Sequence, residues 1–87
     1  MPELSRFKGI VLYLQFKDVQ HHNAPHVHVY YGEYEASVSL DGTVLAGALP
    51  KIQLKLVQTW LKINEDDVKT AWNLAVNGKH FDKIKAL

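Results

Sequence analysis

The side chains best suited to chemistry in this chain are concentrated in HHNAPHVHVYYGEYEA, residues 21–36, where four of the five histidines lie beside three tyrosines and two glutamates. On an extended strand His26 and His28 point to the same side, about 6.5 to 7 Å apart, close enough for both imidazoles to meet one ion or one phosphate. His21 or His22 can swing in from the preceding loop. His22, His26 and His28 around zinc or another divalent transition metal, with water in the fourth position, would make a site of the open, catalytic type. Glu35 or Asp18 would then act as base or as hydrogen-bond partner to a ligand. Without metal, His26 and His28 can divide the acid and base work of RNA cleavage, supported by Glu35, because imidazoles titrate near neutrality. Lys17, Lys79 and Tyr30 would steady the phosphate.

Other readings of the same residues need no chemistry. A His-x-His pair on a strand can arise without a ligand, and the closed four-ligand spacing that makes a zinc signal specific is absent. Tyr30, Tyr31 and Tyr34 around a hairpin are the residues of cross-strand packing or of the centre of a protein interface. With His22 and Asn23 they form the expected contact surface for a protein partner. Ten basic against nine acidic residues leave a net charge of +1, which creates no long-range field to gather nucleic acid or anionic lipid. The lack of cysteine removes disulfides, thiolate metal sites and cysteine nucleophiles. No stretch approaches the ~20 apolar residues of a membrane span, and MPELSRFKGI lacks a signal-peptide core. Cytoplasmic residence is the expectation.

The elements that carry these residues read as a single α+β domain, 1–87: a small antiparallel β-meander of three to four strands, then two amphipathic helices. Alternation of Ile10, Leu12, Leu14 and Phe16 with Val11, Tyr13 and Gln15 predicts a first strand over about 9–16. Residues 17–25 read as a polar loop ending at Pro25. Strands over 26–31 and 34–40 flank Gly32-Glu33, a two-residue turn with glycine first, as in type II′. That turn pairs Tyr31 with Tyr34, Tyr30 with Glu35, Val29 with Ala36, His28 with Ser37, Val27 with Val38 and His26 with Ser39. One face is then apolar and the other, bearing both histidines, faces solvent. Asp41-Gly42 leads to a short strand over 43–45. Pro50 opens a helix to 63, in which Ile52, Leu56, Val57, Trp60 and Leu61 recur at helical spacing. Asn64 reads as the N-cap of a second helix over 65–77, with Glu65, Asp66 and Asp67 in its first turn and Val68, Ala71, Trp72 and Ala75 as its buried stripe. Asn77 and Gly78 end it. Trp60 and Trp72 are assigned to the core. His80 and the acidic helix start are explained by helix-end electrostatics alone.

MPELSRFKGIVLYL, HNAPHVHVYYGEYEA and LAGALPKIQLKLVQTWL together resemble the bacterial domain of unknown function 4160 family over nearly the whole chain. The family signature His-Asn-Pro-Pro-His-Phe-His maps onto residues 22–28, with Ala24 in place of its first proline and Val27 in place of its phenylalanine. The Pro-x-Ile/Leu-Ser-x-Phe start maps onto Pro2 to Phe7, the Tyr-Gly-Glu turn onto Tyr31 to Glu33, and the Leu-Pro before a Trp-bearing helix onto Leu49 to Trp60. The resemblance implies no activity. It does imply a partner, since members are often encoded beside a small protein of another family, domain of unknown function 2442, in pairs that look like toxin-antitoxin or regulatory modules.

The leading expectation is therefore a protein-binding module that uses the His and Tyr hairpin as its contact surface. The alternative is a small His-dependent hydrolase or ribonuclease with toxin-like effect, metal-dependent or not. Self-association is also compatible with so short a chain, because a small domain buries a limited core.

Overall fold

The computed structural model of the chain describes residues 3–14 and 25–87. Asp18, His21, His22 and Asn23 lie outside the described residues, as do Gln15 and Phe16 of the expected first strand and all of the loop expected over 17–25 except Pro25. Five strands, β1 (Glu3–Phe7), β2 (Ile10–Tyr13), β3 (His26–Tyr31), β4 (Tyr34–Ser39) and β5 (Val44–Gly47), form one antiparallel sheet in sequential order. Helices α1 (Lys51–Ile63) and α2 (Glu65–Val76) follow. The α+β class and the meander are as expected, with one strand more.

The extra strand is β1. Its residues ELSRF carry two charges and a serine, and its pairing with β2 is irregular between Glu3 and Ser5, so no clean alternation announces it. The turn into β2 is Lys8-Gly9, both with positive φ (50° and 79°), the arrangement of a type I′ hairpin. By contrast, Gly32 (φ 57°) precedes a Glu33 that is not in the left-handed region, as a type II′ turn requires. The β3–β4 register follows from it, and all six expected residue pairs are present. The turn residue types set which side chains share a face, because a slip of one residue would turn the apolar set outward.

Ile10, Leu12, Val27, Val29, Ala36 and Val38 are all buried and form the sheet's share of the core. Against them pack Val57, Trp60 and Leu61 of α1 and Val68, Ala71, Trp72 and Ala75 of α2. Both tryptophans are in the core, as assigned, with the Trp60 ring 6.0 Å from that of Phe7. Ile52 is not: at 71% exposure it lies on the outer side of α1, although its spacing is helical. Asn64 stands between the two helices, and its side chain donates back to the Trp60 carbonyl (3.0 Å) instead of capping α2. The far end of α2 closes as expected, with Lys79 N–H bonded to the Leu74 carbonyl (2.8 Å) and Gly78 N–H to that of Ala75 (3.1 Å).

The C-terminal segment returns to the sheet. Ile84 N–H donates to the Leu4 carbonyl (2.8 Å), the Trp60 indole N–H donates to the Lys85 carbonyl (2.9 Å), and Lys83 pairs with Glu3 (3.1 Å). A hydrogen bond from Arg6, and a second from Lys83, hold the Glu3 carboxyl below its ordinary pKa.

At the β4–β5 turn the Ser39 hydroxyl donates to Asp41, which also accepts the Thr43 backbone N–H (3.0 Å). These two bonds, the Ser39 one foremost, lower the Asp41 pKa from its ordinary 3.8. The folded value lies below the unfolded one, so the contribution to stability is complete above about pH 4 and disappears as pH falls through the folded value. The melting-temperature gap between wild type and Asp41→Ala is therefore constant from about pH 7 to 5 and narrows below about pH 4. A gap that persists unchanged at about pH 2 would assign the turn's stability to something other than this carboxylate. Gln58 ties the turn to α1 by donating to the Gly42 carbonyl (3.0 Å).

Candidate functional site

On the side of the β3–β4 hairpin away from Val27 and Val29, side chains at alternate positions bring His28, Tyr30, Glu35 and Ser37 together. Tyr30 stands directly across from Glu35, and His28 from Ser37. These four, with Ala46 and Gly47 of β5, line a hollow of about 100 Å³. Glu35 is exposed at its rim, His28 and Tyr30 are half-buried, and Ser37 is buried. Tyr13 of β2 braces Tyr30 edge-to-face, with ring centres 5.5 Å apart and planes at 79°.

The hollow owes its shape to Gly47. Its φ is 76°, and a Cβ built there would lie 2.2 Å from the Glu35 carbonyl oxygen and 3.0 Å from the Ala36 Cα. Only a residue without a side chain lets β5 approach β4 this closely, and the Ala48 N–H then reaches the same Glu35 oxygen (3.1 Å).

The expected site residues are divided by this arrangement. His28, Tyr30 and Glu35 meet at the hollow. Tyr31 and Tyr34 fall on the other face of the hairpin, where their rings stack 6.4 Å apart at 22°. His26 shares a side with His28, with ring centres 5.3 Å apart, but it is fully buried and its imidazole also lies 5.2 Å from the Trp72 ring. The expected solvent-facing pair is thus corrected to one buried ring and one half-buried ring, because α2 brings Trp72 against the first residue of β3. Among the described residues no three His, Asp or Glu side chains come together as a metal-ligating group. His22, the third expected ligand, lies outside them. Tyr13, Ser37, Ala46 and Gly47 were not expected at the site. Gly47 lies beyond the short strand expected over 43–45, and the close strand approach that makes it part of the hollow has no signature in a single sequence.

A cavity of about 100 Å³ is small beside the 300–1,000 Å³ of ordinary small-molecule pockets. It has room for one side chain. An imidazole, a phenol, a carboxylate and a hydroxyl around it supply both donors and acceptors for the polar end of such a chain. β5 forms its outer wall. Leu45, Ala46 and Gly47 are exposed, and the strand VLAG carries no charge. No described helix is long and apolar enough to cross a membrane.

No curated protein and no solved structure matches the chain. A family model, Domain of unknown function (DUF4160), matches residues 9–73, from the β1–β2 turn into the last turns of α2, and spans every residue of the hollow. That match covers most of the chain, and the protein belongs to the DUF4160 family.

Proposed function

We propose that this chain is a bacterial, cytoplasmic protein-binding module, one half of a toxin-antitoxin-like or regulatory pair. The observation that carries the reading is the exposed β5 edge beside the hollow of His28, Tyr30, Glu35 and Ser37. An edge strand leaves every second backbone N–H and C=O without a ladder partner, and protein surfaces normally protect such edges with lysine, proline or a covering segment. β1, at the other side of the sheet, receives the C-terminal segment through the Ile84 N–H. β5 has an irregular register against β4 but no charge and no proline. A partner's extended segment added to β5 gains main-chain hydrogen bonds and places one side chain into the hollow, where Glu35 and His28 select a polar tip. The partner is a small protein, and the family resemblance points to domain of unknown function 2442.

The test is site-specific photo-crosslinking in the cells that encode the protein. A crosslinking residue at position 30 is expected to trap one small protein, whereas the same residue at exposed Lys69 of α2 traps none. With the trapped protein purified, Leu45→Lys and Glu35→Ala each weaken binding about tenfold or more, the usual scale for a central contact. Identical adducts from both positions, or none, would remove the reading. Growth arrest on expression, abolished by His28→Ala at unchanged melting temperature, would instead favour the hydrolase.

A further inference from the structure

We infer that the outer side of α1 is a second docking surface, shaped for an acidic amphipathic helix of another protein. Ile52 and Ile63 are the two most exposed large apolar side chains among the described residues, at 71% and 67%. They belong to one line, Ile52, Leu56, Thr59 and Ile63, spaced four, three and four residues apart. This is the a/d spacing of a coiled-coil seam over four successive seam positions, about 16 Å long. It lies beside the inward stripe of Val57, Trp60 and Leu61, and only its Leu56 also packs against the core.

Thr59 is no interruption. Its hydroxyl donates to the Lys55 carbonyl in its own helix (2.9 Å), so its hydrogen is already satisfied within the helix. Leu56 is half-buried and joins the seam to the body of the domain.

Charge decides the occupant. Lys55 and Lys62 stand at the positions flanking the seam on its solvent side, with Lys51 at the entrance, and α1 contains no acidic residue. All three lysines are exposed, and among the described residues none is in an ion pair. A second copy of this chain packed antiparallel would set Lys55 of each helix against Lys62 of the other. Packed parallel, it would bring no carboxylate of either α1 to the lysines. Like charges at flanking positions oppose pairing, and opposite charges select the partner. A foreign helix with apolar a and d residues and glutamates beside them satisfies both the isoleucines and the lysines. The surface lies away from the hollow and does not depend on the strand-addition reading.

The probe is a fluorescein-labelled synthetic helix of three heptads with leucine at a and d and glutamate at e and g, titrated with the full chain. Saturable binding is expected, weakened at least tenfold by Ile52→Ser/Ile63→Ser and by Lys55→Glu/Lys62→Glu, and unchanged by Glu35→Ala. These α1 positions are exposed, so the variants keep the wild-type melting temperature, which is measured alongside. A matched helix with lysine at e and g is expected not to bind. Equal binding of the acidic and lysine helices, or acidic binding indifferent to the α1 variants, overturns the inference. So does a homodimer in sedimentation equilibrium that Ile52→Ser dissociates. Binding to phosphatidylserine vesicles through α1 without binding the acidic helix would assign the stripe to a membrane surface and overturn it equally.

Discussion

Gly47→Ala is expected to destabilise the fold by about 3 kcal/mol or more, combining a left-handed penalty of about 1–2 kcal/mol with a steric clash. The added Cβ would sit 2.2 Å from one backbone atom of β4 and 3.0 Å from another, and neither belongs to a side chain that can rotate away. β5 must move off β4, which disrupts the ladder and removes one wall of the hollow. Gly32→Ala is the internal control, since Gly32 also has positive φ (57°) but no atom within 4 Å of the built Cβ. It is expected to cost only about 1–2 kcal/mol, the conformational part alone. Urea denaturation of the two variants reads the difference directly, and equal losses would show that the close strand approach is not what Gly47 provides. Because net stability of a small domain is about 5–15 kcal/mol, the Gly47 variant is expected to stay mostly folded in water, with its urea midpoint clearly lowered.

The second large effect concerns the histidines. His26→Ala is expected to cost about 2–4 kcal/mol, in the range for emptying a fully packed ring site, while His28→Ala costs under about 1 kcal/mol. His26 is fully buried, in contact with the Trp72 and His28 rings, so its removal opens a void that the sheet and α2 cannot both close. His28 is half-buried at the hollow. Chemical denaturation and the near-ultraviolet dichroism of the tryptophans separate the two, with a changed indole signal for the His26 variant only. A His26 variant as stable as wild type would return that imidazole to the list of available functional groups. Loss of function in His26→Ala is accordingly no sign of catalysis, whereas loss of function in a stable His28→Ala protein points to the hollow itself.

In the β3–β4 hairpin the sequence was enough to put every side chain on its side of the sheet. Gly32-Glu33 demands one turn geometry, that geometry sets one register, and the alternation of Val27, Val29, Ala36 and Val38 against His28, Tyr30, Glu35 and Ser37 agrees with it. Local rules were also sufficient for the end of α2 at Asn77 and Gly78. They failed for β1, where ELSRF has no alternating pattern and the irregular pairing near Glu3 breaks the period. Asn64 was legible as a boundary but not in its bond, because a residue shared by two helices can satisfy either one.

The candidate site was legible only in part, and the missing part has a common cause. His28, Tyr30 and Glu35 were brought together by strand alternation, a property of neighbours along and across one hairpin. That Tyr31 and Tyr34 lie on the opposite face follows from the same alternation. The burial of His26, the exposure of Ile52 and the role of Gly47 each depend on a neighbour distant in the chain: Trp72 for the first, the side of α1 that meets the core for the second, and Glu35 for the third. Pattern along the chain determines which residues share a face. Which face is covered, and how closely a third strand can approach, is decided only when helices and sheet pack to excluded volume, since that contact is non-local and leaves no periodic trace in the sequence.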